Sequence, residues 1–213
     1  MRGMAMSKGR QDSVRARTRS RFPWIMESAF ALTLFLTGSC GGSLYRVKPL
    51  ASLSPMPATV AFVNLGSISV RAVPLLSDEE SQELFESNLQ LAGLLPVRVE
   101  IIHNGGEAIE MKKVRFRVRD AAGAEWKAIS SKQAIARILK ANGVFAYNPD
   151  SRKTFEKQFR AYELNLKTPL TPGERRREGF VIFLAPRKEP VSSPHGLVLT
   201  IEGLSEPVTI TLK

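Results

Sequence analysis

One cysteine and two histidines in 213 residues leave little material for thiol or metal chemistry. A lone Cys40 excludes an intramolecular disulfide and any site built from several cysteines. His103 and His195 have no His or Cys at ligand spacing, so no zinc-type cluster is expected around them. Long apolar runs are also missing. The best stretch, residues 22–38, has 17 residues and includes Pro23 and Glu27, short of the roughly 20 apolar residues that a transmembrane helix needs. The pairs Gly41-Gly42 and Gly105-Gly106 fit neither phosphate-binding glycine pattern, which argues against a nucleotide site. Hydroxyls are plentiful, but none sits in a G-x-S-x-G turn or an S-x-x-K setting.

What the chain does have is uneven charge. The formal net charge is +11, yet seven of the 31 Lys and Arg fall in the first 22 residues, where Asp12 is the only acid. That basic segment runs directly into the apolar SAFALTLFLTG of residues 28–38, the order of an export signal's basic and hydrophobic regions. The apolar run ends in Leu36-Thr37-Gly38-Ser39-Cys40, which resembles the lipobox of bacterial lipoproteins. The resemblance implies cleavage between Ser39 and Cys40 and acylation of Cys40. Several chains on one residue anchor stably where a single chain binds only marginally. Gly41, by resemblance to the sorting rule of Gram-negative lipoproteins, implies an outer-membrane destination facing the periplasm. A transmembrane helix and a mitochondrial transit peptide are the competing readings of this segment; the first is too short, and the second would be amphipathic without an apolar block.

The expected organisation is therefore a signal peptide over 1–39, a lipidated tether over 40–57 and a folded domain over 58–213. The tether expectation rests on GGSLYRVKPLASLSPMP, residues 41–57, which is rich in Gly, Ser and Pro without a clear period. After removal of residues 1–39 the chain carries 24 basic and 18 acidic residues, a net charge of +6.

From about residue 58 an apolar period of two dominates, as half-buried strands require. Val97, Val99 and Ile101 alternate with Arg98 and Glu100; Val114, Phe116 and Val118 alternate with Arg115, Arg117 and Arg119. Tyr162, Leu164 and Leu166 read as another strand, as do residues 197–202 and 208–212. Residues 180–185, FVIFLA, are apolar on both faces and predict a central strand. With strands near 58–64 and 67–73 the count is about eight or nine, the spacing of an antiparallel β-sandwich.

Two short helices are expected at its periphery. Ser77 with Glu80 and Ser130 with Gln133 form capping boxes ahead of amphipathic stretches. Residues 144–159 read equally as helix or loop. Asp78-Glu79-Glu80 is best explained by the helix dipole rather than by calcium, since no EF-hand pattern surrounds it. Trp126, Phe145, Tyr147, Phe155 and Tyr162 are expected in the core.

The stretch LFESNLQLAGLLPVRVEIIHNGGEAIEM, followed by LTPGERRREGFVIF, resembles uncharacterised exported bacterial lipoproteins with an immunoglobulin-like β-sandwich. In them a short helix leads into a PV-containing strand and a Pro-Gly turn leads into a GF-containing strand. The resemblance covers scattered blocks between about residues 70 and 185. It implies a fold and no activity.

Three classes of function follow as expectations. The first is a non-enzymatic envelope module, anchored to a membrane and holding a protein partner or an anionic envelope polymer. For the polymer the candidate contacts are Arg115, Arg117 and Arg119, because residues 112–188 hold 19 Lys or Arg against 7 acids. The second is an envelope enzyme with an Asp, Glu, Lys or Ser site. A cytosolic nucleic-acid binder is the third, and its strongest basic segment is the one read here as a signal peptide. No cofactor and no nucleic-acid partner are expected.

Overall fold

The computed structural model describes residues 44–57, 59–192 and 194–212, all within the unit Gly41–Lys213. The signal-peptide region, Ser39 and Cys40 lie outside the described residues.

The domain is mainly antiparallel β. Eight strands form one hydrogen-bonded sheet: β1 (Phe62–Leu65), β2 (Ile68–Pro74), β3 (Leu94–His103), β4 (Arg115–Arg119), β5 (Glu125–Ile129), β6 (Arg176–Leu184), β7 (Val198–Glu202) and β8 (Val208–Thr211). Their order across the sheet is β1-β2-β3-β6-β5-β4-β7-β8, and the edge strands β1 and β8 approach each other, so the sheet curls until it is nearly closed. Strand β5 is shared between two neighbours. Its first half pairs with β4 (Arg119↔Glu125) and its second half with β6 (Ile129↔Ile182).

Alternation sends one side of each strand into the curl. Val97, Val99 and Ile101 of β3 meet Phe116 and Val118 of β4 and Leu199 and Ile201 of β7 in a first core. The outer face of β3 and β6 is apolar at one end, and there it carries a second core. There Leu94, Phe180 and Ile182 pack under three helices, α1 (Asp78–Phe85), α2 (Ser131–Ala141) and α3 (Pro149–Ala161). This double coverage is why FVIFLA lacks a polar side. Phe85, Phe159, Tyr162 and Phe180 form edge-on and tilted ring contacts with centroids 5.1–5.9 Å apart.

Both expected capping boxes are present, with Glu80 N–H donating to Ser77 Oγ and Gln133 N–H to Ser130 Oγ. Three expectations need correction. Among the described residues there are three α-helices, not two: Asn148 caps α3 by accepting from Asp150 N–H at 2.8 Å, and Pro149 at the first helical position has no amide to orphan. The alternating 162–166 stretch is no strand. It makes a single parallel bridge, Glu163↔Phe180, alongside the part of β6 that β5 does not reach.

The stretch expected as a tether is packed from Leu44 onward. Leu44 and Val47 are buried in the second core, Lys48 N–H donates to Leu84 O at 2.9 Å, and Met56 is buried near the end of the segment. Its apolar residues are too sparse to show a period, yet Leu44, Tyr45, Val47 and Leu53 pack against the second core.

Candidate functional site

The arginines of β4 stand on one outward face, as the alternation requires. Register places Glu202 of β7 opposite Arg115, Lys127 of β5 opposite Arg117, and Glu125 opposite Arg119. Arg117 pairs with Glu202 at 3.5 Å and Arg119 with Glu125 at 3.9 Å, all four side chains well exposed. Arg115 Nη1 donates to the carbonyls of Lys112 (2.6 Å) and Val114 (2.9 Å). Glu163, the acid that the alternation offers as a partner, takes part in no ion pair among the described residues. The face thus has four cations and two acids, in a high-dielectric setting where such pairs contribute little.

A second place was hidden from the sequence because it joins segments about 65 residues apart. The turn after β4 and the connection after β6 enclose a cleft of about 410 Å³, within the range of ligand pockets. On one side Asp120 builds the wall. Its Oδ1 accepts from the amides of Ala122 (3.0 Å) and Ala124 (2.9 Å), and its Oδ2 accepts from Trp126 Nε1–H (3.2 Å). Burial raises the Asp120 pKa, but the Trp126 indole, the Ala124 and Ala122 amides and the charge of His195 outweigh it and hold the carboxyl below its usual value.

The opposite wall comes from residues 185–192 with Pro194 and His195, and it too is fixed. Ala185 N–H donates to Gly93 O (2.9 Å), Val191 N–H to Gln90 O (2.8 Å), and the Arg137 guanidinium of α2 reaches Lys188 O (2.8 Å) and Ala92 O (3.0 Å). Ala121 N–H donates to His195 O at 3.4 Å, which ties the two walls together at one end. The surface between them is mostly apolar, from Trp126, Pro186, Pro190, Val191 and Pro194, with Arg187, Glu189 and His195 at hand.

The other histidine is structural. His103 is buried, its Nε2 donates to Glu107 O (2.8 Å) and its Nδ1 accepts from Gly105 N–H (3.1 Å), so the carbonyl fixes the Nε2–H tautomer. Of the aromatics expected inside, Trp126, Phe155 and Tyr162 are buried, Tyr147 is half-buried, and Phe145 is 83% exposed. Among the described residues no group of three or more His, Cys, Asp or Glu is placed to hold a metal ion, and no helix is long and apolar enough to cross a membrane. No family model, no curated protein and no solved structure matches this chain.

Proposed function

We propose that the chain is an exported lipoprotein anchored to an envelope membrane through Cys40, and that its β-domain is a non-enzymatic binding module which grips a segment of a protein partner in the Asp120–His195 cleft. The carrying observation is the state of the Asp120 carboxylate. Both oxygens already accept hydrogen bonds from their own hairpin, so the acid shapes a wall instead of standing ready to move a proton. For the enzyme alternative, Asp120, Ser192 and His195 are the groups that the cleft would offer. A lining of proline, valine and indole between walls already fixed supports binding with little ordering loss.

The finer fold reading is an immunoglobulin-like sandwich. It is supported by β5, whose two halves pair with different neighbours, so that the strands group as β1-β2-β3-β6 and β5-β4-β7-β8 around one core. The polymer reading keeps one observation in its favour, the excess of cations on the β4 face.

Metabolic labelling with a clickable fatty acid tests the anchor: wild type should label and Cys40→Ser should not. Cross-linking of the full chain in membranes tests the cleft. Ala122→Trp, which fills it, should abolish the cross-linked partner, while Arg115→Ser/Arg117→Ser/Arg119→Ser retains it. The reverse pattern would hand the function to the basic face.

A further inference from the structure

The helical hairpin formed by α2 and α3 has a face that neither core uses. Phe155 and Phe159 turn inward from α3, so Lys153, Lys157 and Arg160, at i, i+4 and i+7, share the outward stripe. Lys132 and Lys140 are exposed on α2. Between the helices lies Phe145, a phenyl ring 83% exposed. Residues 131–161 carry seven Lys or Arg against Asp150 and Glu156, most of the excess charge of the chain after Cys40. The acids do not neutralise the stripe: Lys153–Asp150 (3.2 Å) and Arg160–Glu156 (3.4 Å) are solvent-exposed pairs, and Lys157 has no ion pair among the described residues. Helix α1 is the opposite in sign, presenting Asp78, Glu79, Glu80, Glu83 and Glu86 to solvent.

Where the chain enters the fold gives this patch its direction. Tyr45 packs its ring edge-on against Phe155 of α3 with centroids 5.5 Å apart, and Val47 N–H donates to Gln158 Oε1 of the same helix at 3.3 Å. Only Gly41, Gly42 and Ser43 separate Cys40 from this docked segment. Four residue steps span at most about 14 Å fully extended.

We infer that the α2–α3 hairpin is a membrane-contact surface, laid on anionic phospholipid headgroups with Phe145 entering the interface and Lys153, Lys157 and Arg160 facing the lipid phosphates. This rests on the reading of Cys40 as the anchor. A short anchor holds the basic helix within reach of the bilayer. The same entering segment also touches the end of α1, where Arg46 N–H donates to Glu86 (2.9 Å) and Lys48 pairs with Glu83 (2.8 Å), so it is the sign of the charge that favours α3 over α1 at an anionic surface. Phe145 stands in the loop between the two helices, and because Phe155 and Phe159 are spent on the core it is this one aromatic side chain, beside the cations, that is offered to the headgroup region. Three cations near an anionic surface favour contact by about a hundredfold. The module is then a rigid reader of what lies close to the membrane, not a bead on a string.

The full gene product, purified from membranes in detergent, is first weighed intact to establish whether it begins at a lipid-bearing Cys40. It is then reconstituted in vesicles of phosphatidylcholine alone and of phosphatidylcholine with phosphatidylglycerol, and backbone hydrogen exchange is followed by mass spectrometry. Residues 143–160 should exchange more slowly in the anionic vesicles, by up to about a hundredfold, the contact preference of three cations. Residues 78–86 should not change. Lys153→Gln/Lys157→Gln/Arg160→Gln should lose the protection, and so should Phe145→Ser in part, with exchange in β3 and β6 unaltered to show that both variants are folded. Equal exchange in the two vesicle types with the lipid in place overturns the surface, as does protection already present in detergent from a co-purified protein. A product without lipid on Cys40 overturns the anchor alone; the same chain mixed with the two vesicle types then decides the hairpin by the same readout.

Discussion

The Tyr162 hydroxyl donates to the carbonyl of Lys48 at 2.7 Å, joining the end of α3 to a segment 114 residues earlier. The ring is buried against Phe85 and Phe180, and burial raises the phenol pKa, keeping it a donor. Tyr162→Phe keeps the ring and leaves the Lys48 carbonyl without this partner. The expected loss is about 1 kcal/mol, the usual net worth of such a bond. It should appear as a lower urea midpoint with an unchanged slope, and as faster hydrogen exchange confined to residues 44–53. Faster exchange spread evenly over the sheet would contradict the local role.

Glu100 is 1% exposed on the outer face of β3, and two arginines hold its charge there: Arg71 of β2 at 3.1 Å and Arg176 of β6. Arg176 also pairs with Glu178 at 2.6 Å, and Glu178 pairs with Arg98, so the charges alternate across three strands. Glu100→Ala strands two cations that keep partial access to water. The loss should therefore lie toward the low end of the about 3–5 kcal/mol seen when one member of a buried pair is removed. Denaturant unfolding measures it, and a change within about 0.5 kcal/mol, the range of ordinary surface substitutions, would show that the network contributes no stability.

On β4 the opposite result is expected. Arg115→Ser/Arg117→Ser/Arg119→Ser removes exposed pairs to Glu125 and Glu202 that contribute at most about 1 kcal/mol each, and it relieves the repulsion between Arg117 and Lys127. Stability should stay within about 1 kcal/mol of wild type. A larger loss in thermal or urea unfolding would mean that the face is a structural ion network.

Gly179 lies where residues 163–164 cross alongside β6. A Cβ added there would stand 2.6 Å from the backbone nitrogen and Cα of Leu164, and a backbone held by the Leu164 N–H bond to Phe180 O (3.0 Å) cannot step aside cheaply. Gly179→Ala should destabilise by about 1–3 kcal/mol, the range for overpacking a filled site. A stability equal to wild type would mean that the crossing is looser than its hydrogen bonds imply.

The strands with one wet face were the legible part of the fold. Phe116 and Val118 announce a period of two because water on the other side forces it, Val97, Val99 and Ile101 because the buried ion pairs of Arg98 and Glu100 occupy the other side, and FVIFLA announces a strand because both sides are covered. Asn148-Pro149 was a readable start for α3, since an Asn cap followed by Pro is a helix-entry signal. The stretch 162–166 misled for a physical reason: Tyr162 closes a helix and Leu164 enters the first core, so two different burials imitate one alternation. Residues 44–57 were illegible because their contacts, to Leu84, Gln158 and Tyr162, are set by the helices they meet and not by any local repeat. The cleft could not be read either. Asp120 opens the turn closed by Gly123 N–H, and His195 lies 75 residues further on; only the return of the chain after β6 beside the β4–β5 turn places them together.

Acid should weaken the fold through two carboxylates whose native partners are now defined. The Arg177 guanidinium lowers the Glu174 pKa by hydrogen bonding and by charge, against a smaller opposing effect of burial; Arg177 itself is 5% exposed and donates also to Asn165 O, Thr168 O and Pro169 O. Asp120 is lowered despite its burial by Trp126, Ala124, Ala122 and His195. A carboxyl whose folded pKa lies below its unfolded value of about 4 binds fewer protons in the native state. Its contribution is complete above that value and is lost as pH falls through the folded pKa, so the slope of stability against pH is positive in the acid range. Urea midpoints taken from neutral pH down to about pH 2.5 should fall steadily for wild type below about pH 4. Asp120→Asn keeps an acceptor for the turn amides but carries no charge, and Glu174→Gln does the same beside Arg177. Each variant should be less stable than wild type at neutral pH, and the gap should close as pH drops. A gap that stays constant down to the acid limit would mean that packing, and not ionisation, makes these two side chains important.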